Sequence, residues 1–500
     1  MVTPVVLLYH VVFVLIAMAW ITIACPSMQP YHSSDSTTHV DVWQPVIAVA
    51  EVFEQVSKRA QISMGIGNCW VIDGYHGAGV TDQSLFQLMS SGKFTIDAAI
   101  TRLIDDGYID PTWTLRQALQ TVIPNFGLDG AGDITVAQFM QFQAPLGVLG
   151  IHVPIQYTQW DKTPDLSLLI KGLQTMRPTF IPKTNASDWY PEPTVGGNFT
   201  THQYDPVVMG WIAQALVEAW NPFRLPYVDY MNLLGGIIEQ AITRPNNGLI
   251  NRVPDRYELY FKFPQLRPDL WARYIPPTAF PVTRNLTAAE ILYNEREQNP
   301  LSVEFKTQVI DYPYIALLQA PFELPAGSLP DQFSAINITT PLLADPSQGD
   351  FNNAAFAGRS NAITLGAWAM TMANLGKVPG TSRPFRSPGI SIQAGQRVWT
   401  GTDLVNYGEG TISYARYGGN KPTPGAISSC LPEDTIIHVG STESFLMFIP
   451  SMTLSLAVTT ADYPSPREQP NVKMGNAGLS IVDIACRTVK ALQQQQQQQH

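Results

Sequence analysis

Apolar residues recur with the spacing of an α-helix at both ends of the chain. Near the N-terminus, intervals of three, four and three residues separate Val46, Val49, Phe53 and Val56. Near the C-terminus, the same intervals separate Leu479, Val482, Cys486 and Val489. Each pattern predicts a helix with one apolar face. Pro45 fits the first turn of the N-terminal helix, which is expected to start near Asp41 or Gln44. Because an apolar face must be buried, the two helices need a common platform.

Runs of β-branched and aromatic residues predict that this platform is an antiparallel sheet. Two runs lie in "SFLMFIPSMTLSLAVTTA" and are separated at Pro450-Ser451, and a third, "DTIIHVGS", comes just before them. Shorter strand candidates are "GNCWVI" around Cys69 and "TISYARY" around Tyr414. Both chain ends are then expected to pack on one face of this sheet.

Helical patterns dominate the middle of the chain, from residue 85 to about residue 385. In "KFTIDAAITRLIDDGYID", Ile96, Ile100 and Ile104 lie four residues apart, on one face of a helix that ends at Gly107. A second helix, "NLLGGIIEQAI", is predicted after Tyr230.

Two proline-rich stretches, 144–210 and 244–345, have mixed patterning and are expected to elaborate the core instead of forming domains of their own. The whole pattern predicts an α+β fold, in which an antiparallel sheet is flanked by the terminal helices and carries a large helical insertion.

The composition excludes two broad classes of protein. Hydrophobic residues make up 45% of the 500 residues and charged residues 14%, which is enough apolar material for a large core and excludes overall disorder. The net charge of -10 comes from interspersed acids and bases, without the basic stripe that neutralises phosphates. Nucleic acid is therefore not an expected partner.

An apolar run from Val5 to Cys25 opens the chain. Small residues at Thr22 and Ala24 fit a secretory signal, residues 1–24, that is cleaved before Cys25. A retained membrane anchor is the alternative, because the run is long and no Lys or Arg precedes it. Four sequons predict glycosylation at Asn185, Asn198, Asn285 and Asn337. Together these features predict a secreted or extracellular protein, or one that is anchored in the secretory pathway.

Four cysteines are too few for a disulfide scaffold but allow one or two bridges, with a pairing that the sequence does not determine. They are Cys25, Cys69, Cys430 and Cys486. No Cys-x-x-Cys or His-Glu-x-x-His motif occurs, so neither a metal nor another cofactor is expected. Residues 491–500 form a glutamine-rich, low-complexity tail, which leaves residues 25–490 for the globular domain.

Ser90 and Lys93 are candidates for chemistry, in the stretch "FQLMSSGKFT". Residues three apart share one face of a helix, so a helix that begins at Ser90 places the amine of Lys93 over the serine hydroxyl. A neutral hydroxyl is a weak nucleophile until a base takes its proton, and a partly buried lysine with a pKa of about 7 to 8 is such a base. A Ser-x-x-Lys spacing is expected roughly once by chance in a chain of this length. Whether this one is functional must therefore be judged from the segments that flank it.

Those flanking segments carry a family resemblance. After the Ser-x-x-Lys come a helix with a Gly turn, the segments "DITVAQFM" and "LPYVDYMNLLGGIIEQAI", then "AAFAGRSNAITLGAWAMTMANLGK" and "TIIHVGSTESFLMFIPSMTLSLAVTT". Their order and content resemble serine beta-lactamases of class C type and the related penicillin-binding DD-peptidases and esterases. The resemblance covers most of residues 45 to 490, apart from two long divergent insertions, and implies a beta-lactamase/transpeptidase-like fold.

The resemblance also implies a covalent mechanism. Ser90 would be the acylated nucleophile and Lys93 its activating partner, while Tyr227 would relay protons between nucleophile and leaving group. The helix start would place the amide N–H of Ser90 where it can stabilise developing negative charge.

Further roles are implied at the edge strand. His438, in the His438-x-Gly440 motif, would bind a substrate carboxylate or shape that edge, and the amide N–H groups of Ser90 and Ser441 would form the oxyanion hole. Asp229 stands where the family has an asparagine, in the Tyr227-x-Asp229 motif.

Three departures from the family pattern bear on catalysis. A carboxylate at Asp229 close to Lys93 would raise the pKa of the lysine and disfavour it as a base. The segment from Tyr227 to Leu233 is one residue shorter than usual, which would rotate the tyrosine. A histidine-bearing turn is replaced by "FQAPLGV".

Two hypotheses follow. The first is a secreted serine hydrolase that acts through an acyl-enzyme on an ester, a lactone or a peptide amide. The second is a binding or signalling protein that keeps the fold without efficient turnover. An α/β-hydrolase is disfavoured because no Gly-x-Ser-x-Gly elbow occurs. The expected partner is a small-molecule or peptide substrate, and the sequence determines neither its identity nor the oligomeric state.

Overall fold

The computed structural model of the chain describes residues 27–31, 37–56, 59–126, 131–140, 206–243, 256–261, 268–276, 354–355, 358–374, 415–417, 432, 435–439, 444–461, 487–490 and 492–494. The predicted leader, the four sequons, Gly440 and Ser441 lie outside these ranges. Within them, no helix combines the length and the apolar character that crossing a bilayer requires.

An eight-stranded antiparallel sheet forms the centre of the structure. Its strands are β1 (Gln29–Tyr31), β2 (His39–Val42), β3 (Ala60–Ile66), β4 (Cys69–His76), β9 (Ala415–Tyr417), β10 (Thr435–Val439), β11 (Phe445–Ile449) and β12 (Leu454–Thr460). The spatial order is β1-β2-β4-β3-β12-β11-β10-β9. The five strand-like runs in the sequence therefore all form strands of this sheet. The left-handed Thr453 (φ 47°) ends a 3-10 turn at Pro450–Met452, between β11 and β12, as predicted from the break at Pro450.

Alternate residues of β11 face opposite sides of the sheet, because successive side chains of a strand point in opposite directions. Phe445, Met447 and Ile449 join one core cluster, and Leu446 and Phe448 join another. Both faces of the strand are thus covered, which explains why its sequence is a continuous apolar run and not an alternating one.

The terminal helices share the first of these clusters, as predicted. A 3-10 turn (Gln44–Val46) leads into α1 (Ile47–Val56), and the apolar side chains of both ends of the chain pack together: Val46, Val49, Phe53, Val489 and Leu492. Helix formation begins after Trp43, since Asp41 lies in β2. Residues 487–490 and 492–494 are helical, whereas Leu479, Val482 and Cys486 lie outside the described ranges.

The second face of the sheet carries most of the helical part of the chain. Its helices are α2 (Phe94–Asp105), α3 (Leu115–Leu119), α4 (Val136–Met140), α5 (Pro206–Trp220), α6 (Tyr227–Thr243), α7 (Pro268–Arg273) and α8 (Ala362–Ala373). Helix α2 is followed by Gly107 at φ 76°, the left-handed conformation predicted for its end. Helix α6 starts at Tyr227, earlier than the predicted segment. The α+β fold predicted from the sequence is confirmed.

A second, four-stranded sheet was not predicted. It contains β5 (Leu85–Gln87), β6 (Leu259–Tyr260), β7 (Tyr274–Ile275) and β8 (Arg359–Ser360), in the order β6-β8-β5-β7. Strands of two or three residues are too short to show an alternating pattern, so the sequence contains no signal for them. Two of them, β6 and β7, come from the proline-rich stretch 244–345.

Cys69 is disulfide-bonded. The other three cysteines lie outside the described ranges, so the identity of its partner stays open.

Close packing of α8 on the sheet generates a prediction at Gly366. A Cβ atom there would lie 2.8 Å from Trp70 and would also overlap the Ser63 hydroxyl, which donates a hydrogen bond to the carbonyl of Ala362 at 2.6 Å. We expect Gly366→Ala to lower the free energy of unfolding by about 1–3 kcal/mol, because overpacking displaces the helix. Urea unfolding followed by circular dichroism measures the change.

The matched control is Gly236→Ala in α6, where nothing lies within 4 Å of the added methyl group. We expect it to stabilise the protein by up to about 1 kcal/mol, since alanine is the better helix former. Equal effects of the two substitutions would contradict the packing argument.

Candidate active site

Ser90 and Lys93 lie in a 3-10 helix, Met89–Lys93, that continues directly into α2. The sequence predicted an α-helix from Ser90 onwards. In a 3-10 helix, residues i and i+3 eclipse each other, so the backbone of Ser90 lies one turn directly before that of Lys93. The structure describes the backbone of Ser90 and not its side chain.

One contact holds this turn against a distant part of the chain, and a second lies within the turn itself. The amide N–H of Leu88 donates to the carbonyl of Gly358 at 2.8 Å. Within the turn, the hydroxyl of Ser91 is buried and donates back to the carbonyl of Leu88 at 2.5 Å. The second serine of "SSGK" therefore has a structural partner.

Lys93 is completely buried, and its Nζ donates to the carbonyl oxygen of Ala355 at 3.1 Å. Lysine is almost never fully buried without partners, because desolvating an ammonium group costs several kcal/mol. A buried lysine next to a serine turn is the kind of group that concentrates at functional sites.

Tyr227 is the first residue of α6, and the connection from α5 fixes it there. Nδ2 of Asn221 donates to the carbonyls of Val217 and Leu225, and Oδ1 of Asn221 accepts from the amide N–H of Leu225. All three hydrogen bonds are 2.8 Å long. The amide N–H of Tyr227 donates to Oε1 of Glu218 at 3.0 Å.

The side chain of Tyr227 is fully buried and points to the first turn of α2. Its hydroxyl lies 2.7 Å from Oγ1 of Thr95, which in turn donates to the carbonyl of Gly92 at 2.8 Å. Its ring packs edge-on against Phe261 with centroids 5.4 Å apart. The tyrosine is thus linked through Thr95 to the turn that carries Ser90 and Lys93.

The hydroxyl of Tyr227 keeps its proton at neutral and moderately alkaline pH. Burial raises the pKa of this phenol well above its usual value of about 10, the hydrogen bond with Thr95 acts in the opposite direction, and the charge of Asp97 raises the pKa further. In this environment the phenol donates hydrogen bonds and does not act as a phenolate base.

The buried carboxyl near Tyr227 is therefore Asp97 and not Asp229. Asp97 is buried in the first turn of α2, whereas Asp229 is exposed in the first turn of α6. Residues two apart on a helix do not share a face, so the burial of Tyr227 leaves Asp229 facing outwards. Neither Asp97 nor Thr95 was predicted as a site residue, because no motif distinguishes them from the other polar residues of α2.

Strand β10 brings the third predicted segment to the turn. It contacts the 3-10 helix at Met89–Lys93, and within it His438 pairs with Leu446 of β11. The structure describes the backbone of His438, while Gly440 and Ser441 lie beyond the described end of the strand. Their roles stay predictions.

A metal site has no support among the described residues, where no three His, Cys, Asp or Glu side chains cluster.

No family model matches the chain, and no curated protein matches it either. Several solved structures, in contrast, are similar to the chain. A penicillin-binding protein homologue from Caulobacter crescentus is 18% identical, with 89% of this chain and 97% of that chain covered and a TM-score of 0.54. EstA from Arthrobacter nitroguajacolicus Rue61a is 16% identical, with 92% and 99% covered and a TM-score of 0.55.

A family VIII carboxylesterase is similar at the same level, with 16% identity, 89% of this chain and 98% of that chain covered, and a TM-score of 0.53. At such identities the likeness concerns the fold. The resemblance predicted from the sequence is confirmed at that level: the chain has a divergent form of the fold found in beta-lactamases and penicillin-binding proteins.

Proposed function

We propose that the chain is a serine hydrolase that forms an acyl-enzyme on Ser90 with an ester or amide substrate. The observation that carries this proposal is the complete burial of Lys93 one 3-10 turn after Ser90. The fold adds support, because solved structures that share it include one described as a carboxylesterase and one described as a penicillin-binding protein homologue.

In the proposed reaction, Oγ of Ser90 attacks the carbonyl carbon of the substrate and its proton passes to the neutral amine of Lys93. The tetrahedral intermediate collapses, the bond to the leaving alcohol or amine breaks, and that group takes up a proton. Water then attacks the acyl-enzyme, which releases the acid and restores the Ser90 hydroxyl. No other co-reactant is needed.

Tyr227 is proposed to pass the proton from Lys93 to the leaving group. The phenol gives its own proton to the leaving group and takes up the proton that Lys93 received from Ser90, so that both groups return to their starting forms before water attacks. The amide N–H groups of Ser90 and Ser441 are proposed to bind the oxyanion, and His438 with Gly440 to shape the substrate edge. Asp229 is exposed and receives no role in the chemical step.

Secretion is proposed from the leader, residues 1–24, and the four sequons. The disulfide bond at Cys69 supports it, because disulfides persist in oxidising compartments. A retained leader would anchor the enzyme in a membrane of the secretory pathway.

A binding protein without turnover is the second candidate. The hydrogen bond from Tyr227 to Thr95 favours it, because a phenol engaged within the protein must exchange that bond before it can serve a leaving group. Covalent labelling distinguishes the two functions.

We expect a fluorophosphonate to add one adduct to the wild-type protein and none to Ser90→Ala, as measured by intact mass. The control is Ser91→Ala, which removes the neighbouring hydroxyl that is bonded to Leu88, and we expect it to be labelled like the wild type. Absence of an adduct on the folded wild-type protein would favour the binding function.

Replacement of Lys93 by methionine should separate activation from folding. We expect Lys93→Met to slow acylation by about 10²-fold or more, the range typical for loss of a general base. The melting temperature should stay the same or rise, since an apolar side chain of similar length removes a desolvation penalty. Unchanged labelling in a folded Lys93→Met variant would exclude the lysine as the base.

We expect Tyr227→Phe to slow acylation about 10²-fold when the substrate has a poor leaving group. We expect little change in stability, because Thr95 keeps its acceptor at Gly92 and no buried donor is left unpaired. Since burial holds the pKa of the phenol above its usual value, the midpoint of the pH–rate profile between about pH 6 and 9 should be the same in both proteins. A midpoint that moves in Tyr227→Phe would show that the phenol ionises in this range.

A further inference from the structure

Two buried hydroxyl groups form a chain that ends inside the candidate active site. The hydroxyl of Tyr227 lies 2.7 Å from Oγ1 of Thr95, and Oγ1 of Thr95 lies 2.8 Å from the carbonyl oxygen of Gly92. A carbonyl only accepts, so Thr95 uses its single proton there, and Tyr227 must supply the proton of the other bond. The direction of donation is therefore from Tyr227 to Thr95 to Gly92.

The end point of this chain lies between the two predicted catalytic residues. Gly92 separates Ser90 from Lys93 in the 3-10 helix, so the hydroxyl of Thr95 is bonded to the turn and to Tyr227 at once. Thr95 is fully buried, and its β-branched side chain has few rotamers. A rigid, buried hydroxyl thus sets the distance from the phenol to the turn.

The other contacts of Tyr227 involve its main chain and its ring, so the position of its hydroxyl depends on Thr95. The main chain is held by Glu218, and the ring packs edge-on against Phe261. Apolar packing is non-directional, whereas a hydrogen bond fixes the position of the oxygen to within a few tenths of an ångström.

We propose that Thr95 is a positioning residue, which holds the phenol oxygen of Tyr227 beside the Ser90–Lys93 turn. When the phenol gives its single proton to the leaving group of the substrate, the hydroxyl of Thr95 turns from the carbonyl of Gly92 to the phenol oxygen, so that the contact is kept with the donation reversed. This inference rests on the proposed hydrolase function. Thr95 does not touch the substrate, and its effect passes through Tyr227. The site then depends on Thr95 most for substrates whose leaving group cannot depart without a proton.

Two esters of one acid test this dependence on the leaving group. The p-nitrophenolate of p-nitrophenyl butyrate leaves without a proton, whereas the alkoxide of ethyl butyrate must be protonated. We expect Thr95→Val, which replaces the hydroxyl by a methyl group of similar size, to lower kcat/KM for ethyl butyrate by about tenfold. For p-nitrophenyl butyrate we expect a loss of less than about threefold.

Three variants control for structural effects. Thr95→Ser restores the hydroxyl and should restore the rate for ethyl butyrate. Thr101→Val removes another buried hydroxyl of α2, one that donates to the carbonyl of Asp97 and does not bond Tyr227, and should leave both rates unchanged. In the Tyr227→Phe background, Thr95→Val should add no further loss.

Equal losses for the two esters, or the same loss in the Tyr227→Phe background, would overturn the positioning role while leaving the hydrolase function intact. A wild-type protein that neither cleaves the esters nor reacts with a fluorophosphonate would overturn the proposed function and, with it, the role of Thr95. If Thr95→Val does not fold, Thr95→Ala removes the same hydroxyl and supports the same comparison.

Discussion

The hydrogen bond from the buried amino group of Lys93 to the carbonyl of Ala355 is the contact on which the candidate active site depends. It joins residues that are 262 positions apart in the chain, and it gives a polar group that has been removed from water a partner inside the protein. Near it, Leu88 bonds Gly358. Ala355 and Gly358 lie just before β8 and α8. The site therefore takes its geometry from the way in which α8 packs on the central sheet.

Helix α8 packs closely on the sheet at Gly366. Gly366 lets α8 approach Trp70 and Ser63 closely, and the hydroxyl of Ser63 bonds the first turn of the helix. The N-cap Asn361 accepts from the amide N–H of Thr364 at 2.9 Å and fixes the start of α8. A sheet, a helix and a serine turn are thus connected by short polar contacts in an apolar surrounding, where such contacts are strong.

Tyr227 reaches the same turn along a different route. Its position follows from the α5–α6 connection, which Asn221 holds, and from the hydroxyl of Thr95. Through Thr95 this route ends at Gly92, the residue next to Lys93. The same geometry changes the meaning of the departure at Asp229. A carboxylate in place of the family's asparagine was expected to raise the pKa of Lys93. Asp229 is exposed, however, and the acidic group near the phenol is Asp97.

Local patterns predicted much of this architecture. The apolar spacing at Val46, Val49 and Phe53 predicted the N-terminal helix, and continuous apolar runs predicted β11 and β12, because burial of a face leaves a periodic trace in the chain. The order of motifs predicted the fold. Patterns did not reveal the second sheet, whose strands are two or three residues long, or the contacts of Thr95, Asp97 and Ala355. A carbonyl oxygen has no side-chain signature, and partners such as Thr95 and Tyr227 are 132 positions apart. Periodicity records which side of an element is buried, so the chain alone was sufficient for the longer elements and their buried faces. The contacts between individual atoms depend on long-range packing. Only the folded structure, in which distant elements lie side by side, shows them.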